Sequence, residues 1–225
     1  MKPGKTINWI PYGPRALLFR FADKVGEQAL ARQRGIVAEL ERHPPDGLVE
    51  FVPGFTTVLL EFDPKLAPIP EQAAGELLKR FEAAARARLP ETPVRELPVR
   101  YDGEDLAALA EAKAMSADAV CKLHCAPVYT VYMLGFSPGF PYLGVLDPRL
   151  HTPRRASPRS KVLAGSVAIG GEHTGIYTVD SPGGWNILGH TPVKIFDPSR
   201  GEPNGPNDAM FSLKPGDRIK FVPLD

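Results

Sequence analysis

Apolar residues in the first hundred positions follow two different spacings, and their alternation predicts a small domain of strands and helices. Apolar side chains at every second position are typical of strands, whereas spacings of three to four residues are typical of amphipathic helices. The runs, in chain order, are strand 16–21, helix 25–42, strands 48–52 and 57–62, helix 71–89 and strand 94–101. This β-α-β-β-α-β order predicts a ferredoxin-like α+β domain over residues 1–101, with its helices on one face of an antiparallel sheet.

The next segment, residues 102–126, returns to helical spacing. It contains two helix-like runs, 104–114 and 117–124. Ser116 precedes the second run, where its side-chain oxygen can accept a hydrogen bond from a free backbone N–H group of the first helical turn. We interpret this segment as a helical linker between two domains.

Long helical spacing disappears over residues 127–225. Short β-rich runs alternate there with turns that contain glycine and proline, and these runs are 129–134, 161–169, 175–179, 193–196 and 218–222. Such a pattern is typical of an all-β barrel or sandwich. Residues 214–217, with the sequence Lys-Pro-Gly-Asp, predict a turn that feeds the last run, which we expect to close the sheet.

Charge and composition exclude several classes of function. The 225 residues carry 27 basic and 26 acidic side chains, so the net charge of +1 gives no electrostatic footprint for nucleic acid or an anionic membrane. No apolar run reaches the roughly 18 to 20 residues of a membrane span, and residues 1–8 lack the apolar core of a signal peptide. Cys121 and Cys125 stand four apart on a predicted helix, which is a poor geometry for a disulfide, so we expect reduced thiols. These observations together predict a cytoplasmic protein.

Residues 135–144 form the segment richest in glycine, proline and aromatic residues. Glycine permits close backbone approach and proline fixes φ, so the loop can hold one shape and present aromatic faces. The alternative interpretation is a rigid corner of the barrel. If the loop contacts a ligand or partner, the residues expected to do so are Phe136, Ser137, Gly139, Phe140 and Tyr142.

Two further segments carry groups suited to an anion. Residues 152–161 place Arg154, Arg155 and Arg159 in an extended loop, and arginine forks bind carboxylates and phosphates; a solvated basic turn is the alternative. In residues 181–191, Gly183 and Gly184 can bring main-chain N–H groups to an anion. Trp185 follows them and would form a wall of the pocket, although a tight turn with a core anchor explains the same residues.

The sequence shows no catalytic centre of a known type. Its five histidines have no metal-ligand spacing, so we expect no metal site and interpret most of them as surface or core residues. The phosphate-binding motif G-x-x-x-x-G-K-[ST] is absent from the 225 residues. The hydrolase spacing G-x-S-x-G occurs at residues 135–139, around Ser137. Ser137, Ser166 and Ser181 have no identifiable base. We therefore assign no catalytic residue to this chain.

Several ordered motifs nevertheless resemble one protein family along almost the whole chain. The segments that carry the resemblance are 52–55, 101–106, 129–132, 134–144, 152–159, 165–167 and 181–185. They resemble the family of 5-oxoprolinase B subunits, also called allophanate hydrolase subunit 1. That family includes an inhibitor of a sporulation histidine kinase and part of the carboxyltransferase domain of urea carboxylase. Arg100 departs from the pattern, which has a small residue or cysteine at this position.

The resemblance implies a small α/β domain followed by a cyclophilin-like β-barrel over residues 127–225. It also implies a component that works with a homologous C subunit and an A subunit in opening 5-oxo-L-proline to L-glutamate, with ATP and Mg²⁺ used by the assembled complex. Substrate carboxylate and an activated lactam phosphate would then be bound by Arg154, Arg155, Arg159, Gly183 and Gly184. This site would be completed at the interface with the C subunit.

Two other functions remain open from the sequence. The first is a regulatory protein that binds and inhibits a sensor histidine kinase, because that inhibitor shares the same motifs. The second is a peptidyl-prolyl isomerase, which rests on the expected barrel shape alone and is therefore the weaker alternative.

Overall fold

A computed structural model of the chain describes residues 7–66, 71–87, 90–201 and 207–224. The chain divides into two compact units, Met1–Glu91 and Thr92–Asp225. Each unit has its own hydrophobic core. Within the described ranges, every helix falls short of the length and apolar character that a membrane crossing requires.

The first unit is a four-stranded antiparallel sheet with two long helices. Its elements are β1 (Asn8–Pro11), β2 (Ala16–Arg20), α1 (Glu27–Arg42), β3 (Leu48–Pro53), β4 (Thr57–Phe62) and α2 (Glu71–Ala84). The strand order is β1-β2-β4-β3. Phe19 of β2 and Phe81 of α2 are fully buried and meet edge to face, with ring centroids 4.9 Å apart. Burial of such rings supplies the main favourable free energy for this small core.

The second unit is built mainly from strands, with two short helices near its start. Its described elements are β5 (Val94–Val99), α3 (Leu106–Ala112), α4 (Ala117–Cys125), β6 (Tyr129–Leu134), β7 (Pro141–Gly144), β8 (Arg159–Val162), β9 (Ser166–Gly170), β10 (His173–Ile176), β11 (Ser181–Gly183), β12 (Asn186–His190) and β13 (Arg218–Pro223). Seven of these strands form one sheet in the order β12-β9-β10-β7-β6-β13-β5, and β11 pairs with β8 in a separate ribbon.

The seven-stranded sheet curls until its two edges meet. Arg100, directly after β5, and His190, at the end of β12, exchange two backbone hydrogen bonds of 2.8 Å. Gly103 continues this contact by donating its N–H to the carbonyl of Leu188 at 3.0 Å. The sheet is therefore a nearly closed barrel, which removes the exposed edges of an open sheet.

The ferredoxin-like arrangement of the first domain is not confirmed, although the mixed α+β class and the barrel-like sheet are. The strand over residues 94–99 forms where predicted, but it pairs in parallel with β13 in the barrel. The first sheet instead gains β1 as its fourth strand. The unit boundary lies at residues 91 and 92, so the helices within residues 102–126 belong to the second unit. The expected domain boundaries at 101 and 127 differ from this division, because the pairing of β5 with β13 places this strand in the second unit.

Several other boundaries differ from the sequence prediction. The run 161–169 breaks at Gly165, whose φ of +87° turns the chain and separates β8 from β9. Residues 193–196 form an isolated bridge at Phe196 and no strand. The last predicted run forms β13, which lies inside the sheet between β6 and β5 and not at its closing edge. Helix α2 ends at Ala84, and residues 88 and 89 of the predicted helix lie outside the described residues. The predicted cap of α4 is confirmed, since Ser116 accepts a 3.1 Å hydrogen bond from the Ala119 N–H.

His124 of α4 is a fully buried core histidine of the second unit. Thr174 donates its hydroxyl hydrogen to the Ala168 carbonyl at 3.1 Å, so its oxygen is free to accept from His124 Nε2 at 2.8 Å. The Tyr101 hydroxyl lies 2.8 Å from His124 Nδ1 and therefore donates to it. Both ring nitrogens are satisfied by a neutral imidazole with its proton on Nε2. The ring also stacks on Phe221 with centroids 4.7 Å apart.

This environment predicts a dependence of stability on pH. Burial lowers the pKa of His124 from 6.5 to about 3, so the folded state keeps the ring neutral while the unfolded chain takes up a proton below pH 6.5. The unfolded state then binds more protons, and the free energy of unfolding should fall between pH 6.5 and 3, by at most about 1.4 kcal/mol per pH unit from this group.

Urea denaturation of the wild type and of His124→Gln, from about pH 7 to about pH 4, tests this dependence. Glutamine keeps one donor and one acceptor but does not titrate. The variant should be less stable than the wild type at neutral pH and should show the shallower decline on acidification. Parallel declines in the two proteins would show that His124 is not kept neutral by the fold.

Candidate functional site

A cavity of about 270 Å³ in the second unit collects most of the side chains that the sequence singled out. We call it the aromatic cavity, and its aromatic lining consists of Phe136, Phe140, Tyr142, Tyr177 and Trp185. Strand β7 carries Tyr142, the loop before it carries both phenylalanines, and Trp185 stands between β11 and β12. The barrel thus places residues from distant parts of the chain around one space.

Phe140 is the centre of the aromatic lining. Its ring meets the rings of Tyr142, Tyr177 and Trp185 at centroid distances of 5.0, 5.3 and 5.4 Å, all in edge-to-face geometry. Such pairs are each worth roughly 0.5–1.5 kcal/mol beyond the burial of their area. Phe140 itself is only 2% exposed, so it forms the floor of the cavity.

Glycines make room for these rings. A Cβ atom on Gly175 would lie 2.8 Å from the Phe140 ring, and one on Gly170 would lie 2.8 Å from the Trp185 ring. A Cβ atom on Gly183 would overlap the Tyr177 hydroxyl. Gly183 therefore has a packing role in addition to its position on the cavity wall.

Phe136 differs from the other rings because its side chain is 62% exposed and its backbone has a φ of +67°. A bulky residue in the left-handed region is rare, and such strained conformations concentrate at functional sites. The ring stands edge to face with Phe140 at 5.5 Å and Tyr177 at 6.2 Å. It therefore forms an exposed aromatic rim at the cavity mouth.

Arg154 supplies the cationic side of the aromatic cavity. Its guanidinium lies 5.9 Å from the centre of the Trp185 ring, which is within the range of a cation–π interaction. Within the described residues, Arg154 forms no ion pair with a carboxylate. Its guanidinium is therefore available for an anionic ligand.

Arg155 and Arg159 are arranged differently from Arg154. Arg155 also lines the cavity, but its Nη1 atom lies 2.9 Å from Asp105 Oδ1. Arg159 does not line the cavity, and its guanidinium contacts Asp105 at 2.7 Å and Glu104 at 2.8 Å. Of the three arginines expected to act alike, two are thus paired with carboxylates, whereas Arg154 has no carboxylate partner among the described residues.

The structure brings together eight of the predicted residues and leaves three outside the lining. Those that line the cavity are Phe136, Phe140, Tyr142, Arg154, Arg155, Gly183, Gly184 and Trp185. Besides Arg159, the two outside are Ser137, whose Oγ lies 3.5 Å from Thr178 Oγ1, and Gly139, which faces Phe196 and Phe211.

Sequence reasoning missed Tyr177 and Asp105. Tyr177 follows β10 in a run that gave only a strand pattern, so nothing local marked it as a cavity residue. Asp105 lies within the motif 101–106, which carried the resemblance but gave no role to the carboxylate. Its role depends on partners from β8 and the loop before it, which the sequence does not place.

A second cavity of about 270 Å³ lies next to the first and shares Tyr177 with it. Its lining includes the buried hydroxyls of Thr178 and Thr191 and the side of Phe196. Thr178 donates to the Pro138 carbonyl at 2.6 Å, and Thr191 accepts from the Val193 N–H at 3.3 Å. These hydroxyls are thus engaged in holding loops.

The aromatic cavity is built for binding more than for proton transfer. Among the described residues that line it there is no carboxylate, histidine or cysteine. Burial raises the pKa of Tyr142 and of Tyr177 above the usual value of 10.0, so both phenols stay protonated near neutral pH. The described ranges also contain no group of three His, Cys, Asp or Glu side chains placed to hold a metal ion.

Comparison with known proteins agrees with this architecture. Residues 7–205 match the family model described as carboxyltransferase domain, subdomain C and D, which defines the class of the protein. Two similar proteins are both named as the B subunit of 5-oxoprolinase. The one from Escherichia coli O157:H7 is 45% identical over 181 residues, covering 78% of this chain and 78% of that protein. The one from Bacillus subtilis (strain 168) is 35% identical over 222 residues, covering 93% and 90%. The chain belongs to the family of 5-oxoprolinase B subunits.

Solved structures support the fold. The crystal structure of TTHA0988 has a TM-score of 0.80 and 41% identity, covering 94% of this chain. This chain spans only 40% of the length of that chain. The crystal structure of the Kluyveromyces lactis urea carboxylase, with a TM-score of 0.75 and 22% identity over 99% of this chain, supports the fold alone. The names of the relatives do not favour the kinase-inhibitor alternative.

Proposed function

We propose that this chain is the B subunit of an ATP-dependent 5-oxoprolinase, which converts 5-oxo-L-proline to L-glutamate, and that its aromatic cavity binds the substrate. The names of the relatives support the reaction. The observation that carries the location is that Arg154, the cation without a carboxylate partner among the described residues, stands over Trp185 in a cavity walled by aromatic rings.

The chemistry of the substrate matches these groups. 5-Oxo-L-proline is a flat five-membered lactam with one carboxylate. Its ring can pack on Trp185 and Phe140, and its carboxylate can accept paired hydrogen bonds from the Arg154 fork. The cavity of about 270 Å³ is also smaller than the roughly 300–1,000 Å³ of sites for drug-sized ligands, so it suits a small molecule.

The aromatic cavity does not fit a magnesium–triphosphate. Its described lining offers no carboxylate for Mg²⁺ and only one cation without a carboxylate partner, whereas ATP carries several negative charges. We therefore place nucleotide binding, which would activate the lactam oxygen by phosphorylation, on another component of the complex.

The chain's own contribution is to bind and orient the lactam and to exclude water from its apolar face. Opening the lactam also requires a base for the attacking water, and the described cavity lining supplies none. The A and C subunits are the partners that would complete the site, with the C subunit meeting the exposed Phe136 rim. The chain alone should therefore be inactive.

Reconstitution tests this proposal. Release of L-glutamate from 5-oxo-L-proline and ATP would be measured for the chain alone, with the C subunit, and with the A and C subunits together. We expect activity only in the complete mixture. A complex that assembles but releases no glutamate would contradict the proposed reaction.

A further inference from the structure

Asp105 carries a buried carboxylate with three hydrogen-bond donors, although it does not line the aromatic cavity. It is 6% exposed and stands directly before α3. Its Oδ1 accepts from Arg155 Nη1 at 2.9 Å and from Arg159 Nη2 at 2.7 Å, and its Oδ2 accepts from the backbone N–H of Ile187 at 2.7 Å. This one side chain thus connects α3, the basic loop with β8, and β12.

Two of these contacts lead directly to the cavity wall. Arg155 lines the cavity, and its backbone N–H also donates to the Gly184 carbonyl at 2.7 Å. Ile187 lies two residues after Trp185 at the start of β12. The Asp105 carboxylate therefore fixes both the basic loop and the segment that carries Gly184 and Trp185.

The carboxylate also sets the charge of the site. Asp105 and the exposed Glu104 balance Arg155 and Arg159, since Arg159 contacts both carboxylates and Arg155 contacts Asp105. An unpaired charge in a buried place is costly, whereas a paired and hydrogen-bonded one is tolerated. Among the described residues, Arg154 is left as the cation that faces the cavity without a counter-charge.

We propose that Asp105 is a positioning residue that presets the aromatic cavity for a ligand with a single negative charge. It does so by keeping the Arg155 guanidinium paired with its own carboxylate and by fixing the Gly184–Trp185 wall against the basic loop. The identity of the ligand used below rests on the proposed function, whereas the positioning role does not.

The test compares ligands with one and with two carboxylates. The full chain, labelled with ¹⁵N, would be titrated with 5-oxo-L-proline and with glutarate while the indole N–H signal of Trp185 is followed. Trp9, in the other unit, serves as the internal reference. The first variant is Asp105→Asn, which keeps an oxygen for Ile187 but removes the charge. The second is Glu104→Gln, which removes a carboxylate whose ion-pair partner among the described residues is Arg159.

In Asp105→Asn the released Arg155 provides a second cation, so glutarate should gain affinity relative to 5-oxo-L-proline by about tenfold or more. Glu104→Gln should keep the wild-type ratio. A residue with only a structural role would weaken both ligands alike. The proposal is therefore wrong if Asp105→Asn stays folded and lowers both affinities equally, or if Glu104→Gln changes the ratio as much.

A second pair of variants does not require Asp105→Asn to fold. Arg154→Gln should weaken 5-oxo-L-proline binding by about tenfold or more, and Arg155→Gln by no more than about threefold, because Arg155 is already paired. The reverse order would overturn the proposal.

A measurement without ligand separates this proposal from the proposed function. In the wild type, guanidinium NMR signals should show slowed rotation for Arg155 and Arg159, and Asp105→Asn should restore free rotation to Arg155. Failure of the wild type to bind either ligand would remove the proposed substrate site. Free rotation of Arg155 in the wild type would remove the positioning role, whatever the ligand.

Discussion

Replacing Arg154 with alanine is expected to raise the KM of the reconstituted complex for 5-oxo-L-proline by roughly 10- to 100-fold. The guanidinium lies over Trp185 and has no carboxylate partner among the described residues. It can therefore bind a substrate carboxylate without first breaking an ion pair to one of these residues. A hydrogen bond to a charged group contributes about 1.5–3 kcal/mol, which corresponds to this range of affinity. The effect on kcat should be smaller, because the carboxylate is remote from the lactam carbonyl that reacts.

Two control variants test whether the rise in KM is specific to the Arg154 guanidinium. Arg149→Ala removes an arginine that is 61% exposed and pairs with Asp147, so it should leave KM within about twofold. Arg154→Lys keeps the charge but loses the planar fork and its stacking on Trp185, so its KM should lie between those of the wild type and Arg154→Ala. An unchanged KM in Arg154→Ala would show that the substrate carboxylate is bound elsewhere.

Replacing Gly189 with alanine is expected to destabilise the second unit by about 3 kcal/mol or more. A Cβ atom at this position would overlap the carbonyl oxygen of Arg100, and the backbone there cannot move away without breaking the contact that closes the barrel. That contact consists of the paired hydrogen bonds between Arg100 and His190. The new methyl group therefore acts on the edges of the sheet as well as on local packing.

Gly184→Ala is the matched control, since the nearest heavy atom to a Cβ atom there is 3.6 Å away. Urea unfolding would be followed through the indole signal of Trp185, which reports on the second unit. We expect the midpoint to fall strongly in Gly189→Ala and to change little in Gly184→Ala. Equal midpoints would mean that the barrel edges tolerate separation at this position.

The elements that sequence reasoning found were those with long, regular apolar spacing. Strand β4 and helix α1 formed within two residues of their expected ends, because their buried faces repeat at strand and helix periods. Strands β7, β11 and β12 were missed because glycine and proline interrupt any alternation in them. Strand β5 was found but placed in the wrong sheet, since apolar alternation does not specify a partner strand.

The candidate site could be predicted as a set of loops but not as a geometry. Glycine, proline and aromatic residues mark a stiff loop locally, and eight of the expected residues do line one cavity. Three arginines in one basic loop, however, look equivalent in the sequence. Which of them is available depends on a carboxylate some fifty positions earlier in the chain, at Asp105.

The sequence by itself determined the periodic elements, the family and the three segments that surround the cavity, because these depend on local spacing and residue type. Tertiary structure decided the membership of β5, the closure of the barrel and the separate roles of Arg154, Arg155 and Arg159. Those features depend on contacts between residues far apart in the chain. Burial and charge pairing select such contacts only when the whole unit folds.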